Sequence, residues 1–294
     1  MTRPALTVGS HTFEWGAQTY VMGILNVTPD SFSGDGLAVG DDWVDRVVAL
    51  AEDHVAAGAH VLDIGGESTR PGSHPVPLDE ELRRTIPAVR ALAARVSVPI
   101  SIDTYKAEVA RQAITAGATI INDVWGFRMD DGLARVAAET GVAVVLMHNR
   151  SRPSDAVREA QLGGRYVGVE YRKLFGDIKR ELSESIELAL RAGVREERLI
   201  VDPGIGFGKT VDQNLELVAR LTELTDLGHP LLVGPSRKSF LGYTLKLPPD
   251  ERIEGTAAAV TLCIDRGADI VRVHDVAQMA RVARIADAIV RRPS

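Results

Sequence analysis

The chain has 294 residues, of which 45% are hydrophobic, and this is enough to bury a large core in one or two domains. Its formal net charge of −6 argues against nonspecific nucleic-acid binding, which depends on clustered surplus Lys and Arg. The single Cys263 excludes an intrachain disulfide, and the longest apolar runs, such as 142–147, are too short to span a membrane. Because the N-terminus also lacks the apolar core of a signal peptide, we expect a cytoplasmic protein whose partners are small molecules, not nucleic acid or membrane.

Short apolar segments alternate with amphipathic ones along the chain. Residues 5–15 alternate weakly between apolar and polar side chains, which predicts a small β-hairpin. Residues 42–58 and 174–191 have apolar side chains at helical spacing, and Gly58 stands where the first of these helices would end. Strands are predicted within eight segments: 19–26, 57–66, 98–103, 116–126, 140–149, 192–204, 230–234 and 267–275.

The order of these elements predicts the architecture. Nearly unbroken apolar strands separated by helices indicate a parallel sheet that is covered on its faces. Eight such units match a (β/α)₈ barrel of the α/β class, in which the polar strand ends would converge on an active-site mouth. An open, doubly wound sheet is the alternative, but it does not explain why nearly every strand ends in a polar residue. We predict one domain over 1–294, with the hairpin in 1–18 and the barrel in 19–294.

The polar residues at the predicted strand ends indicate the kind of ligand. They are Asn26, Asp63, Asp103, Asn122, Asp123, His148, Asn149, Asp202, Arg272 and His274. Buried carboxylates and an amide suit a flat heterocycle with adjacent N–H donors. Arg237 and Lys238 follow the seventh strand, next to Arg272 and His274 of the eighth, where barrels commonly bind phosphate. The residues therefore predict a ligand that combines a ring rich in N–H donors with a phosphorylated group.

The segment DPGIGFGKT, residues 202–210, looks like a phosphate-binding loop but does not match one. Pro203 occupies the first glycine position of G-x-x-x-x-G-K-[ST] and has no N–H to offer. The glycines at 204, 206 and 208 also miss the spacing of the dinucleotide motif. The sequence therefore predicts no triphosphate site here and gives Lys209 no role.

Six segments occur together in the order typical of one enzyme family. They are MGILNVTPDSFS (22–33), IGGESTRPG (64–72), SIDTYK (101–106), DPGIGFGK (202–209), SRKSF (236–240) and RVHDV (272–276). The chain thus resembles the dihydropteroate synthase family over nearly its whole length. The resemblance implies a transferase of folate biosynthesis that condenses 6-hydroxymethyl-7,8-dihydropterin diphosphate with p-aminobenzoate, releasing 7,8-dihydropteroate and pyrophosphate. It also implies a homodimer and a target of sulfonamides.

The resemblance assigns roles to residues at the matching motif positions. It implies a pterin pocket made by Asp103, Asn122, Met147, Asp202, Gly234 and Lys238. It implies that the diphosphate is bound by Arg272, His274 and Asn26, and that Asn26 is also a Mg²⁺ ligand. It implies that p-aminobenzoate is surrounded by Thr69, Arg70, Phe207 and Ser239, and that catalytic roles belong to Asp35, Arg70 and Lys238.

The first loop departs from the family's usual S-F-S-D-G-G. Here it reads SFSGDG, so the aspartate is Asp35, one place later. In the family this acid is thought to interact with the arginine of the second loop, which is Arg70 in this chain. Because flexible glycines flank Asp35, we expect it to reach the same place.

Several simpler interpretations stay open. Asp63 and Asp123 are also placed to cap the turns that follow them, and His148 to bond neighbouring loops. Residues 150–161 predict a solvated loop, with gating of the site as the alternative. Two other functions compete: a pterin-binding methyltransferase domain that serves a corrinoid protein, and a catalytically silent pterin-binding paralogue. The anion clusters in SRKSF and RVHDV argue against the first, and only the shifted Asp35 favours the second.

Overall fold

The computed structural model describes residues 3–28, 37, 40–69, 73–159, 161–167 and 169–291. The strands in this part of the chain are β1 (Leu6–Val8), β2 (His11–Phe13), β3 (Tyr20–Asn26), β4 (Val61–Gly65), β5 (Ile100–Asp103), β6 (Ile120–Asp123), β7 (Ala143–Met147), β8 (Ala156–Glu159), β9 (Gly163–Tyr166), β10 (Leu199–Asp202), β11 (Leu232–Val233) and β12 (Ile270–Val273). The α-helices are α1 (Trp43–Ala56), α2 (Leu78–Ala93), α3 (Ala107–Ala116), α4 (Asp131–Thr140), α5 (Leu174–Ala192), α6 (Val211–Ala219), α7 (Ser239–Leu245), α8 (Ile253–Asp265) and α9 (Val276–Val290). Short 3₁₀ turns cover Pro153–Asp155, Glu196–Arg198, Leu221–Leu227 and Pro249–Glu251. None of the helices in these ranges is both long and apolar enough to cross a membrane.

Eight of the described strands form one parallel sheet, in the order β10-β7-β6-β5-β4-β3-β12-β11. The sheet closes on itself, because Val201 of β10 forms a parallel bridge with Leu231 and donates its N–H to the carbonyl of Pro230 at 2.9 Å. Each of the eight predicted strand segments contains one of these strands, so the predicted (β/α)₈ barrel is confirmed. The carboxyl ends of parallel strands share one rim, which brings Asn26, Asp103 and Asp202 to the same end of the molecule.

The N-terminal hairpin closes the opposite end of the barrel. Strands β1 and β2 pair antiparallel, with Leu6 opposite Phe13. The apolar side chains of the hairpin form one buried cluster with residues from inside the sheet, among them Tyr20, Met22, Val61, Ile120, Val145, Ile200, Leu232 and Ile270. Arg3 fastens the start of the chain by donating two hydrogen bonds to Asp269, at 2.6 and 2.7 Å. With this end filled by apolar side chains, the polar strand residues lie at the other rim.

Local signals in the sequence explain how the connections turn. Gly141, which follows α4, has a left-handed conformation with a φ of 66°, and the chain turns there into β7. Thr210 begins α6 with a capping box: its hydroxyl accepts from the N–H of Gln213 at 3.2 Å, and the Gln213 side chain accepts from the N–H of Thr210 at 2.9 Å. The Lys-Thr pair of DPGIGFGKT therefore ends in a helix cap and not in a phosphate ligand.

The segment 150–161, expected to be a solvated loop, is partly ordered. Strands β8 and β9 pair antiparallel, with Ala156 opposite Tyr166. Two side chains from distant elements hold the turn between them: the Tyr243 hydroxyl donates to the carbonyl of Gly163 at 3.2 Å, and Arg252 donates to that of Leu162 at 2.9 Å. The loop prediction was wrong for these residues because tertiary contacts, not a local apolar pattern, fix their conformation.

Candidate active site

A cavity of about 350 Å³ lies at the carboxyl-terminal rim of the barrel. Its lining includes these predicted site residues: Asn26, Thr69, Asp103, Gly234, Lys238, Ser239, Arg272 and His274. Four others are buried and join the lining residues through the contacts given below: Asn122, Met147, Asp202 and Phe207. The structure thus brings these twelve to one end of the barrel. Asp35 and Arg70 lie outside the described residues.

Arg272 lies between two buried carboxylates. Its Nε donates to Oδ2 of Asp63 at 2.6 Å, and its Nη2 donates to Oδ2 of Asp103 at 2.8 Å. Asn122 donates its amide to the same oxygen of Asp63 at 3.0 Å. These bonds connect β12 with β4, β5 and β6, so Arg272, predicted as a diphosphate ligand, also holds the pterin-side carboxylates. Asp63 belongs to this cluster. The sequence left open whether it binds the ligand or caps the following turn, and in the structure its Oδ2 accepts from Arg272 and Asn122.

The two carboxylates predicted to hold the pterin have raised pKa values. Burial raises the pKa of Asp103 to about 7, while the charge of Arg272 acts in the opposite direction. Burial also raises the pKa of Asp202 to about 6, against the N–H of Gly204, which donates to its Oδ1 at 2.7 Å, and the charge of Lys238. Only an ionised carboxylate accepts two N–H donors side by side. Both acids therefore change their capacity to bind a donor-rich ring near neutral pH.

Lys238 and Phe207 form a second part of the site. The Lys238 ammonium lies 3.9 Å from the centre of the Phe207 ring, within the range of a cation–π interaction. Gly206 makes this approach possible, because a Cβ at that position would lie 2.7 Å from Cδ of Lys238. Phe207 also packs with Met147 and Val124 in a small buried cluster. The arrangement offers a cation and an apolar surface to a flat ligand.

Ser236 and His274 form the part of the lining predicted to bind an anion. The Ser236 hydroxyl lies 3.0 Å from Nδ1 of His274 and accepts from the backbone N–H of His274 at 3.2 Å. Arg237, which the sequence placed among the anion ligands, forms an ion pair with Asp275, at 3.0 and 2.5 Å. Ser236 thus orients the imidazole, a role that sequence reasoning missed although the residue lies in the SRKSF segment.

Glu67 holds the part of the second loop that directly follows β4. It lines the cavity and accepts from the Lys106 ammonium at 2.6 Å, the Tyr105 hydroxyl at 3.0 Å and the N–H of Val76 at 3.1 Å. Its partners come from the SIDTYK segment and from the far side of the loop. Sequence reasoning missed this carboxylate. Its position inside the GGESTRPG segment, two residues before Thr69, could have indicated it.

Asp123 has the simpler of its two predicted roles. Its Oδ1 accepts from the N–H of Trp125 at 2.8 Å, and its Oδ2 accepts from the N–H of Phe127 at 2.6 Å. Both oxygens are therefore used to hold the turn after β6. Asp123 is a capping residue at a strand end, which distinguishes it from Asp103 and Asp202.

Comparison with known proteins agrees with this geometry. Residues 22–274 match the pterin binding enzyme family. The chain is 47% identical over 288 residues to the dihydropteroate synthase of Clostridium beijerinckii, a match that covers 98% of this chain and 100% of that one. The chain belongs to the dihydropteroate synthase family. The family predicted from the six motifs is confirmed, and with it the transferase class.

Solved structures of dihydropteroate synthases share the fold over nearly the whole chain. The enzyme from Clostridium difficile, solved in the presence of pteroic acid, has a TM-score of 0.86 and 46% identity, with 95% of this chain and 100% of that chain covered. The enzyme from Xanthomonas albilineans, solved with 4-aminobenzoic acid, has a TM-score of 0.86 and 39% identity, with 99% and 100% covered. Full-length agreement with dihydropteroate synthases favours this function over the methyltransferase alternative.

Proposed function

We propose that this protein makes 7,8-dihydropteroate and pyrophosphate from 6-hydroxymethyl-7,8-dihydropterin diphosphate and p-aminobenzoate. The observation that supports this most is the Arg272 cluster beside the cavity. It places two buried carboxylates next to a cation, which suits a ring with N–H donors on one edge and a phosphorylated arm on the other. Membership of the dihydropteroate synthase family supports the same reaction.

The pterin binds, in this proposal, against the buried carboxylates. Asp202 and Asp103 accept the N–H groups of its polar edge, Asn122 completes that edge, and Lys238 donates to the ring carbonyl. Burial supports this role, because a hydrogen bond to a charged group contributes about 1.5–3 kcal/mol where water does not compete. Met147 and Gly234 contact the flat faces of the ring.

The diphosphate binds next to Arg272 and His274. Both line the cavity, and both place a donor beside the site where negative charge accumulates as the diphosphate leaves. Asn26 ends β3 in the same lining and would supply one side-chain oxygen for Mg²⁺. One such oxygen would suffice to hold the ion, because Mg²⁺ usually keeps several waters and binds substrate phosphates. When bound, Mg²⁺ neutralises charge on the diphosphate.

The amine substrate binds toward the outer part of the cavity. Thr69 and Ser239 line it, Phe207 packs beneath Lys238, and the carboxylate of p-aminobenzoate lies at Ser239. Catalytic roles for Arg70 and Asp35 stay predictions from the sequence, because both residues lie outside the described residues. A sulfonamide resembles p-aminobenzoate in shape and is expected to compete for the same position.

The reaction breaks one bond and forms another at the pterin methylene. The C–O bond to the diphosphate breaks with its electron pair on oxygen, and the ring delocalises the positive charge left behind. The amine nitrogen of p-aminobenzoate then forms the C–N bond and loses a proton to water. The ionised carboxylates stabilise the cationic ring, Lys238 and Phe207 position it against the amine, and no covalent enzyme intermediate is required.

We also propose a homodimer in the cytoplasm. Support for the dimer comes from apolar side chains on the outer helices: Leu262 of α8 and Ile285 and Ile289 of α9 are 43%, 61% and 64% exposed. Support for the compartment comes from the single cysteine, which is buried and unpaired. Analytical ultracentrifugation of the protein and of Ile289→Asp tests the dimer; two monomeric samples would contradict it.

Pyrophosphate release tests the proposed reaction. The purified protein is supplied with Mg²⁺ and the dihydropterin diphosphate, with and without p-aminobenzoate. We expect release that depends on p-aminobenzoate and a stoichiometric yield of 7,8-dihydropteroate. Pterin binding without release would instead identify the silent paralogue, and the first loop with its shifted Asp35 would be the cause to examine.

A further inference from the structure

Lys209 is a buried cation to which the reaction proposed above gives no part. Only 2% of the residue is exposed, and the hydrogen bonds of its ammonium within the described residues go to uncharged groups. Its ammonium donates to Nδ1 of His148, the carbonyl of Gly204 and the carbonyl of Phe207, each at 3.0 Å. All three ammonium protons therefore have acceptors, and all three acceptors are uncharged. Burial lowers the pKa of Lys209, and the charge of Asp202 opposes this most strongly, so the cost of burying the ammonium is offset by this carboxylate across the turn.

Two of these acceptors lie on the turn that follows Asp202. The ammonium holds Gly204 and Phe207 at the two ends of the turn, while the N–H of Gly204 donates to Asp202 at 2.7 Å. Gly204 thus connects the lysine to the carboxylate through hydrogen bonds on both sides. No other residue type fits there, because a Cβ on Gly204 would lie 1.9 Å from the carbonyl oxygen of His148.

The third acceptor extends the network into the protein. An ammonium can only donate, so Nδ1 of His148 accepts and the ring proton is on Nε2. Nε2 lies 3.1 Å from Glu181 of α5 and donates to it, and Arg150 also binds this carboxylate, with its Nε 3.0 Å from Oε1. Burial first, and then the charge of Lys209, lowers the pKa of His148 to about 3, which keeps the imidazole neutral. Lys209 is therefore held by His148, whose other ring nitrogen bonds to the ion pair of Glu181 and Arg150.

We propose that Lys209 is a positioning residue for pterin binding, which fixes the Asp202 turn and keeps the Asp202 carboxylate ionised. This inference rests on the proposed role of Asp202. It explains the lysine of DPGIGFGK, which stands where a phosphate-binding loop would have its own lysine but is buried in the protein. The role is electrostatic as well as mechanical, because a nearby positive charge favours the ionised form of a carboxylate.

The titration ranges of the two groups agree with this role. Burial lowers the pKa of Lys209 to about 7 and raises that of Asp202 to about 6, so the lysine is still mostly protonated at the pH where half of the carboxylate is ionised. Other charged or titratable groups also face this pair from the surrounding elements: Lys238, Arg272, Cys263, Glu181, Arg150 and His148. These side chains are retained in a variant of Lys209 alone, and only His148 among them loses a direct hydrogen bond, so a change in the profile reports on the lysine and its partner.

The test is the pH dependence of binding of a plain pterin, 6-hydroxymethylpterin, measured by calorimetry. The variants are Lys209→Gln, which is neutral but retains N–H donors, and Lys209→Met, which is neutral and has none. Lys179→Met is the matched control, because Lys179 is on the outer face of α5 and pairs with Asp226 at 2.8 Å. We expect the acidic limit of binding to lie about one pH unit higher in both Lys209 variants than in the wild type, and to be the same in the control as in the wild type. At high pH the glutamine variant should approach wild-type affinity, while the methionine variant stays weaker.

Each outcome of the binding experiment either supports or contradicts the proposed role of Lys209. An unchanged acidic limit in both variants would overturn the inference, as would a loss of affinity that is the same at every pH, since that would mean that the lysine only supports the fold. If Lys209→Met does not fold, the limit in Lys209→Gln decides alone. If the wild type binds no pterin at any pH, the proposed function fails, and the role of Lys209 fails with it. If the wild type binds pterin and the Lys209 variants have the same pH profile of binding as the wild type, the role of Lys209 fails while the proposed function stands.

Discussion

Replacing Arg272 with methionine tests the central cluster of the site. The change keeps much of the side-chain volume but removes the hydrogen bonds to Asp63 and Asp103, at 2.6 and 2.8 Å. Each bond between charged groups contributes about 1.5–3 kcal/mol, and removing one partner of a buried pair costs about 3–5 kcal/mol. We therefore expect the free energy of unfolding to fall by about 3–5 kcal/mol at about pH 8.

The loss should depend on pH in a definite direction. The pKa of Asp103 is raised to about 7 in the folded protein, so stability is greatest while this group is protonated and decreases as the pH rises through that value. Without Arg272 the pKa rises further and the decrease continues to higher pH. At about pH 5.5 Asp103 is protonated in both proteins, so its charge interaction with Arg272 no longer contributes; we expect about half the loss found at about pH 8.

Chemical denaturation of the wild type, Arg272→Met and Arg272→Met/Asp103→Asn at the two pH values measures these differences. The double variant removes the stranded charge and should recover part of the stability at the higher pH. An equal loss at both pH values, or a loss below about 0.5 kcal/mol, would refute the reasoning, because it would mean that the three side chains are not coupled by charge.

Two further predictions concern the backbone around the site. Gly204→Ala should lower the free energy of unfolding by about 3 kcal/mol in the same assay, because Gly204 has a φ of 70° and its Cβ would lie 1.9 Å from the carbonyl oxygen of His148; a change below 1 kcal/mol would contradict the described turn. Tyr243→Phe removes the hydroxyl that donates to Gly163 at 3.2 Å, and should cost about 1 kcal/mol and speed amide exchange across β8 and β9; unchanged exchange would mean that this bond does not hold the hairpin.

The barrel could be predicted because its signals are local. Each strand is a short apolar run, many are preceded by a glycine, and a polar residue lies at or shortly after the end of nearly every one. Asn26, Asp103 and Asp202 could be placed together for the same reason, since the carboxyl ends of a parallel barrel share one rim. Asp123 shows the limit of this argument: it has the same pattern as Asp103, and only the backbone N–H groups of Trp125 and Phe127 show that it caps a turn.

Partnerships between distant residues could not be predicted. Arg272 bonds to Asp63, 209 residues earlier in the chain, and Lys209 to His148, 61 residues earlier. No pattern within a motif specifies such a pair, because the pairing depends on side-chain directions at the rim. The β8–β9 hairpin has the same origin: contacts from Tyr243 and Arg252 hold it, and these lie about 80–90 residues further along the chain.

Binding of 6-hydroxymethylpterin to Asp202→Asn tests most directly the claim that a buried strand-end carboxylate holds the pterin. The matched control is Asp123→Asn, the same change at a strand-end acid that caps a turn. We expect Asp202→Asn to bind at least about 100-fold more weakly than the wild type, since two charge-assisted hydrogen bonds are lost, and Asp123→Asn to bind like the wild type. Wild-type affinity in a folded Asp202→Asn would contradict the account.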